Sequence, residues 1–341
     1  MELLHGINFG GYLSQCEHNL GHYENFINET DVKKVAEWGF DHIRLPIDYE
    51  VLETESGEEY PEGIAYVDRF IKWCQEAHLD VVLDLHKAYG YDFNDAGDSD
   101  RNNLFTSNSL KQRFITLWTR MAKRYGTMEG VAFELLNEVV EEENAELWND
   151  LIEQTLGAIR TYAPDIPVIY GGIHWNSAKT LKLLRIPEDK NVIFTFHFYE
   201  PLLFTHQKAY WVANMDKEKD IPYPETMEYY RKESEKLGYQ GNDVVNASSA
   251  QMGIPFMEEM VKEAVMAAEN AGVSLYCGEY GVIDRAPVED TLRWFKDVTE
   301  VFRRHDIHCA VWSYKEMDFG LNDEHYALIR DELIRMLTEK I

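Results

Sequence analysis

Two glutamates close apolar runs of strand length: Glu138 in VAFELLNEVV, 131–140, and Glu279 in LYCGEYGV, 275–282. Paired carboxyl groups at strand ends are what acid-assisted hydrolysis of a glycosidic bond requires. One, protonated, gives its proton to the leaving oxygen; the other, ionised, meets the oxocarbenium-like centre from the opposite side. We assign Glu138, preceded by Asn137, as acid/base and Glu279 as nucleophile. Arg44 in HIRLP and Tyr199 in FHFYE stand at other strand ends and are candidate partners of Glu279. A guanidinium and a phenol directed at one carboxylate keep it ionised and aim it. Glu138 has no basic neighbour in sequence, so burial and the first negative charge are expected to raise its pKa into the range of a working acid.

Each assignment has a plainer alternative. Most glutamates in perturbing surroundings belong to structural ion pairs. Arg44 reads equally as a rim salt bridge, His86 and His197 as satisfied core histidines or metal ligands, and Trp312 in AVWSYK as packing instead of the floor of a sugar site. Asp84-Leu85-His86 is a weak match to the closely spaced ligands of a metal-dependent barrel. Neither a metal nor another cofactor is expected.

The elements that must position these groups follow from periodicity. Apolar runs at 5–10, 42–47, 80–86, 131–137, 167–171, 192–199, 275–281 and 309–314 alternate with amphipathic stretches. The helices are expected from Thr30-Asp31 to about Trp38, then at 63–77, 109–125, 144–162, 177–184, 253–271, 288–305 and 324–339. Repeated strand–helix units argue for parallel pairing, and eight of them for a closed (β/α)8 TIM barrel spanning 1–341. Chemistry in such a barrel sits at the C-terminal strand ends. Those ends carry Asn8, Arg44, His86, Asn137-Glu138, His174-Trp175, His197 to Tyr199, Glu279 and Trp312. They turn polar and aromatic where the preceding residues are apolar, and burying such groups without partners would be costly.

The connection after the sixth strand, 201–251, is too long for a structureless loop, so we expect an inserted, partly helical subdomain over the barrel mouth. Its aromatics include Phe204, His206, Tyr210, Trp211, Tyr223, Tyr229, Tyr230 and Tyr239. They supply either sugar platforms or, for most rings, the insert's own core. The Asp- and Asn-rich segment 91–103 lacks the ligand spacing of a calcium loop and reads as a solvated rim.

A hydrophobic fraction of 45% with 28% charged residues describes a globular protein, and 61 acids against 33 bases leave a net charge of −28. That field repels nucleic acid and anionic lipid, so neither nucleic acid nor membrane is an expected partner. The chain opens without a leader pattern and has no apolar run long enough to cross a bilayer. Cys16, Cys74, Cys277 and Cys309 show no metal spacing and are expected as free thiols. A cytoplasmic location follows, or a secreted one if a leader has been removed.

The segments GINFGGY, FDHIRLPID, VLDLH, FELLNE, FTFHFYEP, LYCGEYGV and AVWSYKEMD, in this order, resemble the signature segments of family 5 glycoside hydrolases. The likeness continues into the insert at FTHQKAYW, 204–211. It implies a retaining endo-β-1,4-glucanase acting on β-glucan oligo- or polysaccharide, with Glu138 as acid/base and Glu279 as nucleophile. It also implies that Asn137 binds the sugar 2-hydroxyl, that Arg44 and Tyr199 orient Glu279, and that His86, His197 and Trp312 line the site. Asn8, Trp175, His206 and Trp211 complete the expected substrate-binding set. Lys87 follows His86 where many relatives have a second histidine, and Tyr12 stands where tryptophan often follows the paired glycines. One sugar contact and the innermost platform are therefore expected to differ. β-Mannan or β-1,3-glucan specificity, a binding barrel without catalysis, and a metallohydrolase are the alternatives.

Overall fold

The computed structural model describes Met1 and residues 3–339. Within them β1 (His5–Asn8), β2 (His42–Asp48), β3 (Asp80–Lys87), β4 (Val131–Glu134), β5 (Val168–Gly171), β6 (Val192–Phe198), β7 (Ser274–Tyr280) and β8 (His308–Val311) pair in sequence order, all parallel. β8 returns to β1 and closes the barrel.

Strand alternation sorts the side chains. Val82, Ala132, Ile169, Tyr276 and Ala310, with Leu3, form a small apolar cluster inside the barrel. Strand residues of the opposite parity, among them Ile43, Leu45, Val81, Leu83, Phe133, Phe194 and Cys277, join the larger core between strands and helices. At the same inward parity β2, β3 and β4 also hold Arg44, Asp84, His86 and Glu134, all buried. The barrel is thus apolar below and charged above. Gly6 marks how tight the lower layer is: a Cβ there would lie 2.1 Å from the His42 imidazole, which hydrogen-bonds the Tyr276 hydroxyl at 2.9 Å.

The outer helices start and stop where local chemistry dictates. Glu29–Glu37 opens with a reciprocal capping box between Asn28 and Asp31, Pro61–Glu76 begins on proline, and Ile254–Ala271 ends at Gly272 in the left-handed region, φ 64°. Helices at Asn108–Tyr125, Ala145–Arg160 and Val288–Arg304 lie within two residues of expectation. Two expectations are corrected. The stretch after β5 is a 3-10 helix, Ala178–Leu183, and the C-terminal helix is split into a 3-10 turn, Glu324–Tyr326, and Arg330–Thr338. The split follows from Tyr326, whose buried hydroxyl donates to the Val282 carbonyl and ties that turn to the barrel.

Within 201–251 lie helices Leu202–Thr205, Met227–Ser234 and Asn242–Val245 and the 3-10 segment Glu235–Gly241. Phe204, Tyr223 and Tyr230 are buried core, whereas Tyr210, Trp211 and Tyr239 are exposed. The Tyr223 hydroxyl donates to Asp297 at 2.9 Å, and Lys179 pairs with Asp243 at 2.6 Å, anchoring the segment on both sides. The rim loop 91–103 is fastened by Glu141, which accepts from the Tyr91 hydroxyl at 3.1 Å and from the Gly97 N–H at 3.2 Å. The four cysteines are free thiols. Among the described residues no helix is long and apolar enough to cross a membrane.

Candidate active site

Arg44, projecting inward from β2, is the hub. Its side chain is wholly buried, and all five N–H donors are engaged: Nε and one NH2 hydrogen on Glu134 (2.7 and 3.0 Å), NH1 on Asn8 (2.9 Å) and Glu279 (2.8 Å), and NH2 on Asn137 (2.8 Å). Asp84 lies 3.1 Å away as a further anion. Burial opposes the charge, but the surrounding carboxylates hold the guanidinium pKa well above its ordinary value. Crowded anions force Glu134 to compensate. Burial above all pushes its carboxyl up to about 7, with Asp84 and Glu279 adding to the push against Arg44. His86, bonded through Nδ1 to Asp84 at 2.7 Å, is raised as well: burial works against its charge, yet Asp84 carries it above the usual imidazole range.

Glu279 reaches this hub through an irregularity in the sheet. β7 shifts register against β6 at Phe196/His197 and against β8 between Cys277 and Tyr280, the kind of bulge that re-aims a side chain. One carboxylate oxygen accepts from Arg44; the other accepts from the Tyr199 hydroxyl at 3.0 Å. Burial, followed by the neighbouring Glu279 charge, raises the Tyr199 pKa well above its ordinary value, so the phenol remains a donor.

Glu138 has a different environment. Its side chain is 11% exposed, and its Oε1 accepts from His197 Nδ1 at 2.7 Å. Burial pushes His197 down to about 4, so the imidazole is neutral. Asn176 Nδ2 faces the other ring nitrogen at 3.5 Å and can only donate, which leaves the proton on Nδ1. The contact is therefore a neutral hydrogen bond instead of an ion pair. Burial pushes Glu138 up to about 7, while the positive charges of His86 and Arg44 pull the other way. The ligand atoms of Glu138, His197 and Glu279 all lie within 4.8 Å of one another.

Trp312 and His86 stack at 5.9 Å with 9° between ring planes, and Phe93 stands edge-on to His86 at 5.3 Å. Gly10 permits this floor, since a Cβ there would lie 2.7 Å from the Trp312 ring. His206 packs edge-on against Tyr199 (4.9 Å) and Trp211 (6.1 Å), and burial lowers its pKa to about 3. Trp175 sits 37% exposed on a turn in which His174, Trp175 and Asn176 all have positive φ (52°, 56° and 53°).

Several expected roles change on this geometry. Asn8, expected to bind sugar, is completely buried; its amide donates to the Gly278, Ala310 and Val311 carbonyls while its oxygen holds Arg44. Arg44 likewise has no donor left for a substrate. Tyr12 forms no platform: it is buried against Phe70, ring centroids 5.9 Å apart. Lys87 extends to Glu50 at 2.9 Å, with Asp48 and Asp92 at 3.8 and 3.9 Å. Glu138 does have a polar partner, His197, supplied from β6 where sequence adjacency showed none.

Asp84, Glu134 and Asn176 were not among the expected site residues. A signal existed for the first two: each is a charged residue inside an apolar run, at the same inward parity as Arg44. Asn176 carried no such mark. Of groups able to hold a cation among the described residues, one is Glu138, His197 and Glu279, and the other is His18, Asp48 and Glu50 at the rim, where the Lys87 ammonium already sits.

A model of the cellulase family, glycosyl hydrolase family 5, matches residues 6–318. The chain is 37% identical to Cellodextrinase A of Ruminococcus flavefaciens, covering 89% of this chain and 83% of that protein. It is 36% identical to Endoglucanase C of Acetivibrio thermocellus, covering 98% of each. Among solved structures, Cel5A of Thermotoga maritima with cellobiose superposes with a TM-score of 0.74 at 25% identity, covering 98% of this chain and 97% of that one; a mannotriose complex of the same protein matches equally.

Proposed function

The chain belongs to glycosyl hydrolase family 5, the cellulase family, and from that premise we propose that it is a retaining endo-β-1,4-glucanase acting on soluble β-glucans and cello-oligosaccharides. The observation that carries the mechanism is the proximity of Glu138 and Glu279, with oxygens within 4.8 Å, in contrasting environments. Retaining enzymes hold their carboxyl groups about 5 Å apart, whereas inverting ones leave room for a water between them, at about 6.5–9.5 Å. Glu279, fixed by Arg44 and Tyr199, attacks the anomeric carbon. Glu138, held protonated by burial near neutral pH, donates to the departing oxygen. The carboxylate so formed then takes a proton from water as the glycosyl–enzyme ester is hydrolysed.

His86 and Trp312 form the floor under the reacting sugar, and Asn137, its oxygen held by Arg44, presents its amide to the 2-hydroxyl. The segment 201–251 is an inserted subdomain of one catalytic unit. The free thiols suit a reducing compartment, hence cytoplasmic action on short imported chains, and the similarity to a cellodextrinase favours the same substrates. Mannan is the second reading, favoured by the mannotriose complex of the similar Cel5A.

The test is reducing-sugar release from mixed-linkage β-glucan, glucomannan, mannan and β-1,3-glucan, with Glu279→Gln in parallel. Strong release from mixed-linkage glucan, lost at least tenfold in the variant and giving the β-anomer first by NMR, is expected. A mannan-only response would move the substrate. Activity of Glu279→Gln within tenfold of wild type would remove the mechanism.

A further inference from the structure

We propose that the inserted segment supplies an aglycone-binding shelf, with Tyr239 and His174, beside Trp175, holding the glucose units on the leaving-group side of the scissile bond. This rests on the assignment of Glu138 as the acid. The proton donor stands beside the oxygen that leaves, so the surface continuing outward from Glu138 receives the leaving chain.

That surface is laced to the acid by the backbone. The His174 N–H donates to the Val140 carbonyl and the Trp175 N–H to the Val139 carbonyl, both at 3.2 Å, so the turn after β5 is hydrogen-bonded to the two residues that follow Glu138. On its inner side, the Asn176 amide donates to the Asn137 carbonyl and faces His197. Three successive residues with positive φ are costly for His and Trp, and such strain is kept where surroundings enforce it, commonly at ligand-binding sites. Here it lifts an indole out to 37% exposure in a molecule whose other large rings are mostly buried.

Tyr239 comes to this turn from the 3-10 segment of the insert. Its hydroxyl bonds His174 Nδ1 at 3.1 Å, and the two rings meet edge-on, 5.9 Å apart at 87°. Through these contacts Tyr239 joins the insert to the turn that follows β5. Lys179 paired with Asp243 fixes the insert at this edge. Yet Tyr239 remains 59% exposed. A largely exposed aromatic ring, held by its polar end on the residue that precedes an exposed indole, suits the C–H face of a pyranose; the hydroxyl and imidazole suit its equatorial hydroxyls.

The experiment compares kcat/KM for cellohexaose with kcat/KM for an aryl β-cellobioside, whose aglycone ends at one ring. For Tyr239→Ala the hexaose-to-aryl ratio is expected to fall about tenfold, the loss of one aromatic–sugar contact. Tyr239→Phe, which keeps the ring and frees it from His174, is expected to lose less than half of that on a logarithmic scale. The exposed position makes unfolding of either variant a poor explanation, and the aryl substrate reports folding in the same assay. An unchanged ratio in Tyr239→Ala, with wild type active on both substrates, overturns the shelf. Wild type inactive on both overturns the glycosidase reading itself.

Discussion

Replacing Glu138 by glutamine is expected to stabilise the fold at alkaline pH while removing catalysis. Burial raises this carboxyl from 4.5 to about 7, so between those values the folded chain binds a proton that the unfolded chain has released. Where the folded state binds more protons, stability falls as pH rises. The penalty is therefore absent below about pH 4.5, grows through the window, and is complete above about pH 7. At about 1.4 kcal/mol per unit it reaches roughly 3 kcal/mol. Glutamine is isosteric and cannot ionise, and its oxygen can still accept from His197 Nδ1, so the variant escapes the penalty and keeps the contact. With an unfolding entropy of about 2.1 cal/mol/K per residue over 341 residues, ~3 kcal/mol corresponds to a Tm about 4 °C higher. Differential scanning calorimetry of both proteins at about pH 8 and about pH 4.5 measures it. The gain should appear at the first pH and vanish at the second. An equal Tm at pH 8, or the same gain at both, would refute the electrostatic account, the latter by showing a packing effect.

With Glu138 as the proposed acid, kcat should fall about tenfold per unit above about pH 7 as it loses its proton, and a pH–rate profile flat to pH 9 would contradict this. Arg44→Lys exchanges five fixed donors for at most three and leaves Glu134 and Asp84 undercompensated, so a loss of about 3–5 kcal/mol is expected, together with weakened kcat/KM as Glu279 and Asn137 lose their shared anchor. A melting temperature within a degree of wild type would show that the hub is not cooperative.

Much of this molecule was open to inspection before its structure. Apolar runs and helical faces are local patterns, which is why all eight strands could be placed and why Glu138, Glu279, His86, His197 and Trp312 could be picked out at their ends. The capping chemistry at Asn28–Asp31 and Gly272 is local as well. Partnerships are another matter. Arg44 meets Glu134 across 90 residues of sequence and Glu279 across 235, and their encounter depends on barrel closure and on the bulge in β7. Asn8 looked like a strand-end ligand, but closure against β8 buried it behind Arg44. Whether an aromatic of the insert became core, as Tyr230 did, or stayed open, as Tyr239 did, depended on which face found a neighbour. The sequence by itself determined the elements and the residue types at the barrel mouth, because backbone stereochemistry and side-chain alternation act over a few residues. The charge balance around Arg44, the neutral tautomer of His197 and the raised pKa of Glu138 were decided by the tertiary structure, because burial and electrostatics depend on what long-range packing places within a few ångströms.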